Sequence, residues 1–295
     1  MNKFFKGLYT AIITPFSNDK IDFEAFKKLL KNQIDAKVDG IVVAGSTGEV
    51  ASLSIDEYED LVKFARNNIP SSVKLVASIS ANIPSNALKY VKIAESSGVD
   101  GLMCITPYYN KAPQRGLYEY FKIIHENSNL PIMLYTVPSR TGVDFKDETL
   151  IELSKLERIV SIKDSTDDLS RPLRLKKLLP EHFSMLSGDD PNCMLYSCSG
   201  GDGCVSVISN IAPKICKKLQ DLLANNDYVE ARKIQENLQD LYNAIFVDTN
   251  PIPIKYAAST LGFCSEDVRL PLYKITDEKI KDNIRSKTQE FSKLN

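Results

Sequence analysis

The chain has 295 residues, with 37 lysines and arginines against 38 aspartates and glutamates, a formal net charge of -1, and 43% hydrophobic residues. So even a balance offers no electrostatic case for nucleic acid, and no stretch reaches the roughly 18 to 20 apolar residues of a membrane helix. Six cysteines without a CxxC pair argue against a disulfide framework, and two histidines exclude a histidine-rich metal site.

The chain opens MNKFFKGLYTAIITPF, a basic start and an apolar run that Lys6, Gly7 and Thr10 interrupt. No small-residue cleavage site follows, so the run reads as a buried first strand rather than a leader, and a cytoplasmic location is expected. Eight short apolar runs then recur about every 30 residues, the length of a strand–helix unit. They are Leu8–Thr14, Gly40–Gly45, Lys74–Ser80, Gly101–Pro107, Pro131–Val137, Ile159–Ser165, Phe183–Gly188 and Gly203–Ser209. Continuous rather than alternating apolar character suits parallel strands covered on both faces.

Helical spacing fills the intervals: Asp22–Ala36, Ser54–Asn67, Ser85–Ser97, Leu117–Asn127, Asp147–Leu156 and Ser170–Leu179. Ser54 followed by Glu57 reads as a capping box. Eight even units without a glycine-rich phosphate turn after the first strand favour a (β/α)8 TIM barrel over a doubly wound sheet. Past the eighth strand, Ala212–Ala224 and Tyr228–Phe246 read as long helices, with shorter ones near Pro253–Leu261 and Asp277–Lys287. The expected organisation is a barrel over residues 1–225 and a C-terminal helical extension over 226–295, packed on the barrel and useful for packing or assembly.

Barrel enzymes place their chemistry at the C-terminal ends of the strands. Those ends carry Thr14, Ser46-Thr47-Gly48-Glu49, Asn82, Thr106 to Asn110, Tyr135, Arg140, Lys163 and Gly188-Asp189-Asp190. Neither a metal set nor a Ser/His/Asp set is among them. Lys163 lies inside a strand pattern, where an inward lysine loses its hydration. Such a lysine needs a partner, with Asp164 at hand, or a lowered pKa that makes it a nucleophile toward a carbonyl. Tyr135 is either a proton relay beside it or an ordinary core tyrosine. A tight turn at Ser46 and Thr47 would offer hydroxyls and amides to a carboxylate. Arg140 is either a surface arginine or a bidentate partner for a second carboxylate. Tyr108 and Tyr109 cannot both face the same way. Asp189 and Asp190 are left without a role.

AIITPF (Ala11–Phe16), GSTGE (Gly45–Glu49), TPYYN (Thr106–Asn110), VPSRTG (Val137–Gly142), SIKDST (Ser161–Thr166), LSGDD (Leu186–Asp190) and NPIPIKYA (Asn250–Ala257) occur in this order. Taken together they resemble the pyruvate-dependent class I aldolase superfamily of N-acetylneuraminate lyase and 2-keto-3-deoxygluconate aldolase. SRTG, SGDD and FVDTNPIPIK point within it to the dihydrodipicolinate synthase family. The resemblance implies that Lys163 forms an imine with pyruvate and that Ser46, Tyr135 and Tyr109 relay protons, Tyr109 from the neighbouring subunit of a tight dimer. It implies that Ser46 and Thr47 hold the pyruvate carboxylate, Arg140 the carboxylate of L-aspartate-4-semialdehyde, and that Gly188 and Val205 shape the pocket. No cofactor or metal is implied, and the implied assembly is a homotetramer, a dimer of dimers. The alternative is another pyruvate-dependent aldolase, which would keep Lys163, Tyr135 and Ser46 without needing Arg140.

The chain departs from the pattern in places. Ser46 stands where threonine is usual, and Thr136 where asparagine is usual. In the lysine feedback site of sensitive relatives, Asn82 and Tyr108 match, whereas Val50, Ile55, Tyr58 and Asn86 replace more polar or charged residues. Weak or absent lysine inhibition is therefore expected.

Overall fold

The computed structural model describes residues 3–292. Eight parallel strands close into one barrel: β1 (Gly7–Ala11), β2 (Gly40–Val43), β3 (Lys74–Ile79), β4 (Gly101–Ile105), β5 (Ile132–Thr136), β6 (Ile159–Asp164), β7 (Ser184–Ser187) and β8 (Gly203–Ser206). Each strand pairs with its neighbour in sequence, and β1 pairs with both β2 and β8, which settles the barrel against the doubly wound sheet. All eight expected strands form, each ending a little before its expected C-terminal residues. Those residues become the loops of the barrel mouth.

Strand alternation explains why the runs are apolar throughout. One set of side chains, including Tyr9, Val42, Val76, Met103, Met133, Leu186 and Val205, fills the barrel interior as a separate cluster. The alternate set, including Leu8, Ile41, Leu75, Leu102, Leu134 and Ile162, packs outward in the larger core beneath the helices. Phe5 stacks edge-on against Tyr9, with ring centroids 5.8 Å apart, and both belong to the inner cluster.

The surrounding helices are α1 (Phe23–Asp35), α2 (Ile55–Asn68), α3 (Pro84–Ser96), α4 (Gln114–Glu126), α5 (Asp147–Leu153), α6 (Arg171–Leu175), α7 (Cys193–Cys198) and α8 (Pro213–Ala224). The capping box at α2 is present: Glu57 N–H donates to Ser54 Oγ at 3.1 Å, and Ser54 N–H to Glu57 Oε2 at 2.9 Å. The C-terminal extension continues as α9 (Tyr228–Asn237), α10 (Gln239–Ile245), α11 (Ile252–Thr260) and α12 (Glu278–Ser292). No helix among the described residues is long and apolar enough to cross a membrane.

Two expectations need correction, and some short elements went unforeseen. The long helix expected over Tyr228–Phe246 is two helices meeting at Leu238, where the Gln239 side chain donates to the Gln235 carbonyl at 3.1 Å, the acceptor the Gln239 amide would use in a continuous helix. The helix expected over Ser170–Leu179 is confined to α6, and the chain then closes in turns, with Leu178 and Leu179 amides both donating to the Leu175 carbonyl. Finally, α7 and a hairpin of two-residue strands (Phe16–Ser17 and Lys20–Ile21) escaped the sequence reading, being too short to show a period.

Candidate active site

Alternation on β6 turns Lys163 inward while Ile162 and Asp164 face out. Lys163 is 5% exposed, and its Nζ lies 4.0 Å from the centre of the Tyr135 ring. The register places Tyr135 of β5 directly opposite it. Asp164 is spent elsewhere: it pairs with Arg171 at 3.1 Å and accepts from the Tyr196 hydroxyl at 3.3 Å and the Thr166 hydroxyl at 2.7 Å. Burial raises the Asp164 carboxyl, with Arg171 opposing. The salt-bridge reading of Lys163 and Asp164 is thereby removed, since the two side chains leave opposite faces of the strand.

A cavity of about 520 Å³ opens above Lys163 at the C-terminal end of the barrel. Its walls include Ser46, Thr47, Tyr135, Arg140, Lys163 and Gly188, so six of the eight singled-out residues share one space. Gly188 follows β7 and packs tightly: a Cβ there would lie 2.8 Å from Lys163 Cε and 2.0 Å from Ser165 Oγ. The Ser165 hydroxyl is buried without a hydrogen-bond partner among the described residues. Val205 sits deeper, fully buried in the inner cluster, and Val207, two residues on, lines the cavity.

The Ser46–Thr47 turn is held from both sides. Thr14 Oγ1 donates to the Gly48 carbonyl at 2.7 Å, and Asn250 Nδ2 donates to Thr47 Oγ1 at 2.8 Å. Arg140 lies in a one-turn helix (Pro138–Thr141) closed by Gly142 at φ 74°, and its Nη2 donates to the Asn250 carbonyl at 2.9 Å. Arg140 also borders a second, smaller cavity of about 270 Å³ shared with Ser46, Val50, Tyr108 and Leu272. Tyr108 turns in toward that space, its amide bonded to Asn82 Oδ1 at 2.8 Å. Tyr109, at φ 72°, points away and is 91% exposed, so it lies outside the cavity of its own chain.

Residues 246–250 also wall the cavity, through Phe246, Asp248, Thr249 and Asn250. The extension, expected to serve packing or assembly, thus also supplies part of the cavity wall, through the FVDTNPIPIK segment that marks the family resemblance. Asp189 reaches the cavity, where burial raises its carboxyl and the Asn192 amide opposes. Asp190 turns away to accept from the Val207 and Ile208 amides at 2.7 and 3.2 Å, and burial lifts its carboxyl to about 6.

A closed parallel barrel with an inward lysine, an opposed tyrosine and a turn of hydroxyls at its mouth has the form of a Schiff-base lyase. The comparisons with known proteins agree. The model of the dihydrodipicolinate synthetase family matches residues 4–290, and the chain belongs to that family. It is 50% identical over 277 residues to the 4-hydroxy-tetrahydrodipicolinate synthase of Rickettsia bellii, covering 94% of each chain. It is similar to the dihydrodipicolinate synthase of Thermotoga maritima, with a TM-score of 0.95, 36% identity and 99% of each chain covered. It is also similar to the Acinetobacter baumannii synthase solved with pyruvate, with a TM-score of 0.93, 33% identity and coverage of 97% and 98%.

Proposed function

We propose that this chain condenses pyruvate with L-aspartate-4-semialdehyde to 4-hydroxy-tetrahydrodipicolinate, the reaction of its family in diaminopimelate and lysine biosynthesis, and that the cavity above Lys163 is where it does so. The observation that carries the assignment is the buried Lys163 amine at the cavity floor, against Tyr135 and with its neighbouring carboxylate turned outward.

Lys163 Nζ attacks the keto carbon of pyruvate, and loss of water leaves an imine. The imine draws electrons from the adjacent methyl, which gives up a proton to become an enamine carbon nucleophile. That carbon adds to the aldehyde carbonyl of the second substrate, forming the new C–C bond. The substrate's own amine then attacks the imine carbon and displaces Lys163, closing the six-membered ring. Tyr135 and Ser46 relay the protons, joined by Tyr109 of the partner subunit. The outward reach of Tyr109 and the small cavity beside Ser46 and Arg140 support this exchange across a tight dimer, and a dimer of dimers is the proposed assembly. Thr47 with Ser46 would take the pyruvate carboxylate and Arg140 that of the semialdehyde, with Gly188 leaving room beside the imine and Val205 supporting it from below.

The test is a coupled assay with both substrates beside a Lys163→Ala control, with borohydride trapping by pyruvate. Turnover and a trapped adduct on Lys163, both lost in the variant, are expected. A trapped imine without turnover of the semialdehyde would retain the lysine chemistry and refute the second substrate.

A further inference from the structure

The turn carrying Ser46 and Thr47 ends in a buried charge pair that the reaction itself does not use. Glu49 and Lys255 have side chains 1% and 0% exposed, and Lys255 Nζ donates to Glu49 Oε1 at 2.5 Å. The second carboxylate oxygen, Oε2, accepts from the Arg269 amide at 3.1 Å, and Lys255 Nζ lies 4.2 Å from the centre of the Phe16 ring. Burial pushes the Lys255 ammonium down, with Glu49 pulling the other way.

Stability alone is a poor reason for such a pair. Desolvating two charges offsets most of their attraction, and apolar side chains of similar size commonly hold a fold as well. What a charge pair adds is a fixed distance and direction between two segments. The segments joined here are the turn after β2 and the helix α11, 206 residues apart. The turn needs holding: it runs between two non-glycine residues in the left-handed region, Ala44 at φ 52° and Glu49 at φ 55°. Such backbone persists only where the surroundings over-determine it. The segment leading into α11 is in turn fastened to the site, through Asn250 to Thr47 and to Arg140.

We infer that Glu49 and Lys255 are positioning residues, which set the Ser46–Thr47 turn in the Lys163 cavity by fastening it to the C-terminal segment. The inference rests on the proposed imine chemistry. It places the C-terminal extension in the catalytic geometry rather than only in packing, through residues that touch no substrate.

The experiment compares wild-type protein with Glu49→Gln/Lys255→Met, which removes both charges while leaving an acceptor for the Arg269 amide. Thermal unfolding, the rate of borohydride-trappable imine with pyruvate, and the KM and kcat for each substrate are measured. The expected double variant is folded with a melting temperature near wild type, yet forms the imine roughly 10- to 100-fold more slowly, the scale of an ångström-level misplacement. A folded double variant with the wild-type imine rate and KM for pyruvate would overturn the inference. Should the double variant not fold, Glu49→Asp keeps the charge and shortens the arm by one methylene. Slower imine formation in folded Glu49→Asp supports positioning, and an unchanged rate overturns it. If wild-type protein traps no pyruvate, the functional reading fails and takes this inference with it, an outcome distinct from unaltered variants.

Discussion

Gly188→Ala is the sharpest single perturbation of the cavity floor. The added Cβ would stand 2.0 Å from Ser165 Oγ, 2.8 Å from Lys163 Cε and 3.1 Å from Lys163 Cγ. Ordinary carbon contacts lie near about 3.5 Å or beyond, so all three atoms must give way. Ser165 can do so at little cost, because its hydroxyl has no hydrogen bond to lose. The Lys163 stem has less freedom, being enclosed in the barrel with Tyr135 against its amine. Its Cε must shift by roughly 0.7 Å to restore contact distance, which carries Nζ with it and costs about 1–3 kcal/mol as overpacking. A displacement of that order can slow the reaction by about 10- to 100-fold. Borohydride trapping with pyruvate reads the rate, and denaturant unfolding reads the stability. Adding Ser165→Gly removes the closest clash, which costs little, and leaves the one with lysine, so the double variant should regain neither the stability nor the rate. A folded Gly188→Ala protein that traps pyruvate as fast as wild type would refute the argument.

Arg140→Ala should raise the KM for aspartate-4-semialdehyde about 10- to 100-fold, the worth of a charge-assisted hydrogen bond to a carboxylate. Pyruvate trapping should be unchanged, and an unchanged semialdehyde KM would remove Arg140 from its proposed role. Asp190 has a folded pKa raised from 3.8 to about 6 by burial, so between those values the folded chain holds more protons than the unfolded one and stability falls as pH rises. That rise is worth about 3 kcal/mol at about 1.36 kcal/mol per pH unit. Asp190→Asn should flatten the fall in urea-unfolding curves taken across that window, whereas curves parallel to wild type would contradict it. Lysine should inhibit weakly. Tyr58 is fully buried against Tyr90, the Asn86 side chain accepts from Lys89, and Asn82 Oδ1 is taken by the Tyr108 amide. Sub-millimolar inhibition in a lysine titration would reject this expectation.

The barrel was legible because its governing signals are local. Each strand is a short apolar run, and each long helix carries its own period and often its own cap, as Ser54 and Glu57 show. Where a signal spans less than about two helical turns or about four strand residues, periodicity has nothing to count. That is why α7 and the hairpin at Phe16–Ser17 were missed. The break at Leu238 was hidden for a different reason. It depends on one side chain taking one backbone acceptor, which leaves the apolar spacing of Tyr228–Phe246 intact.

The site divides in the same way. Lys163 could be singled out because a lysine within a strand pattern conflicts with its surroundings, and a conflict of that kind is visible without any partner. Glu49 and Asn250 present no such conflict, since each belongs to a turn where polar residues are ordinary. Their meaning lies in partners far along the chain: Glu49 with Lys255, and Asn250 with Thr47 and Arg140. The motifs containing them were noticed, but a motif marks a stretch and not the contact that gives it a purpose. The strand ends supply the chemistry-bearing groups of this barrel, while a segment from beyond the eighth strand closes one wall of their cavity. The strand ends alone therefore reveal the inward lysine but not the segment bonded to the turn beside it.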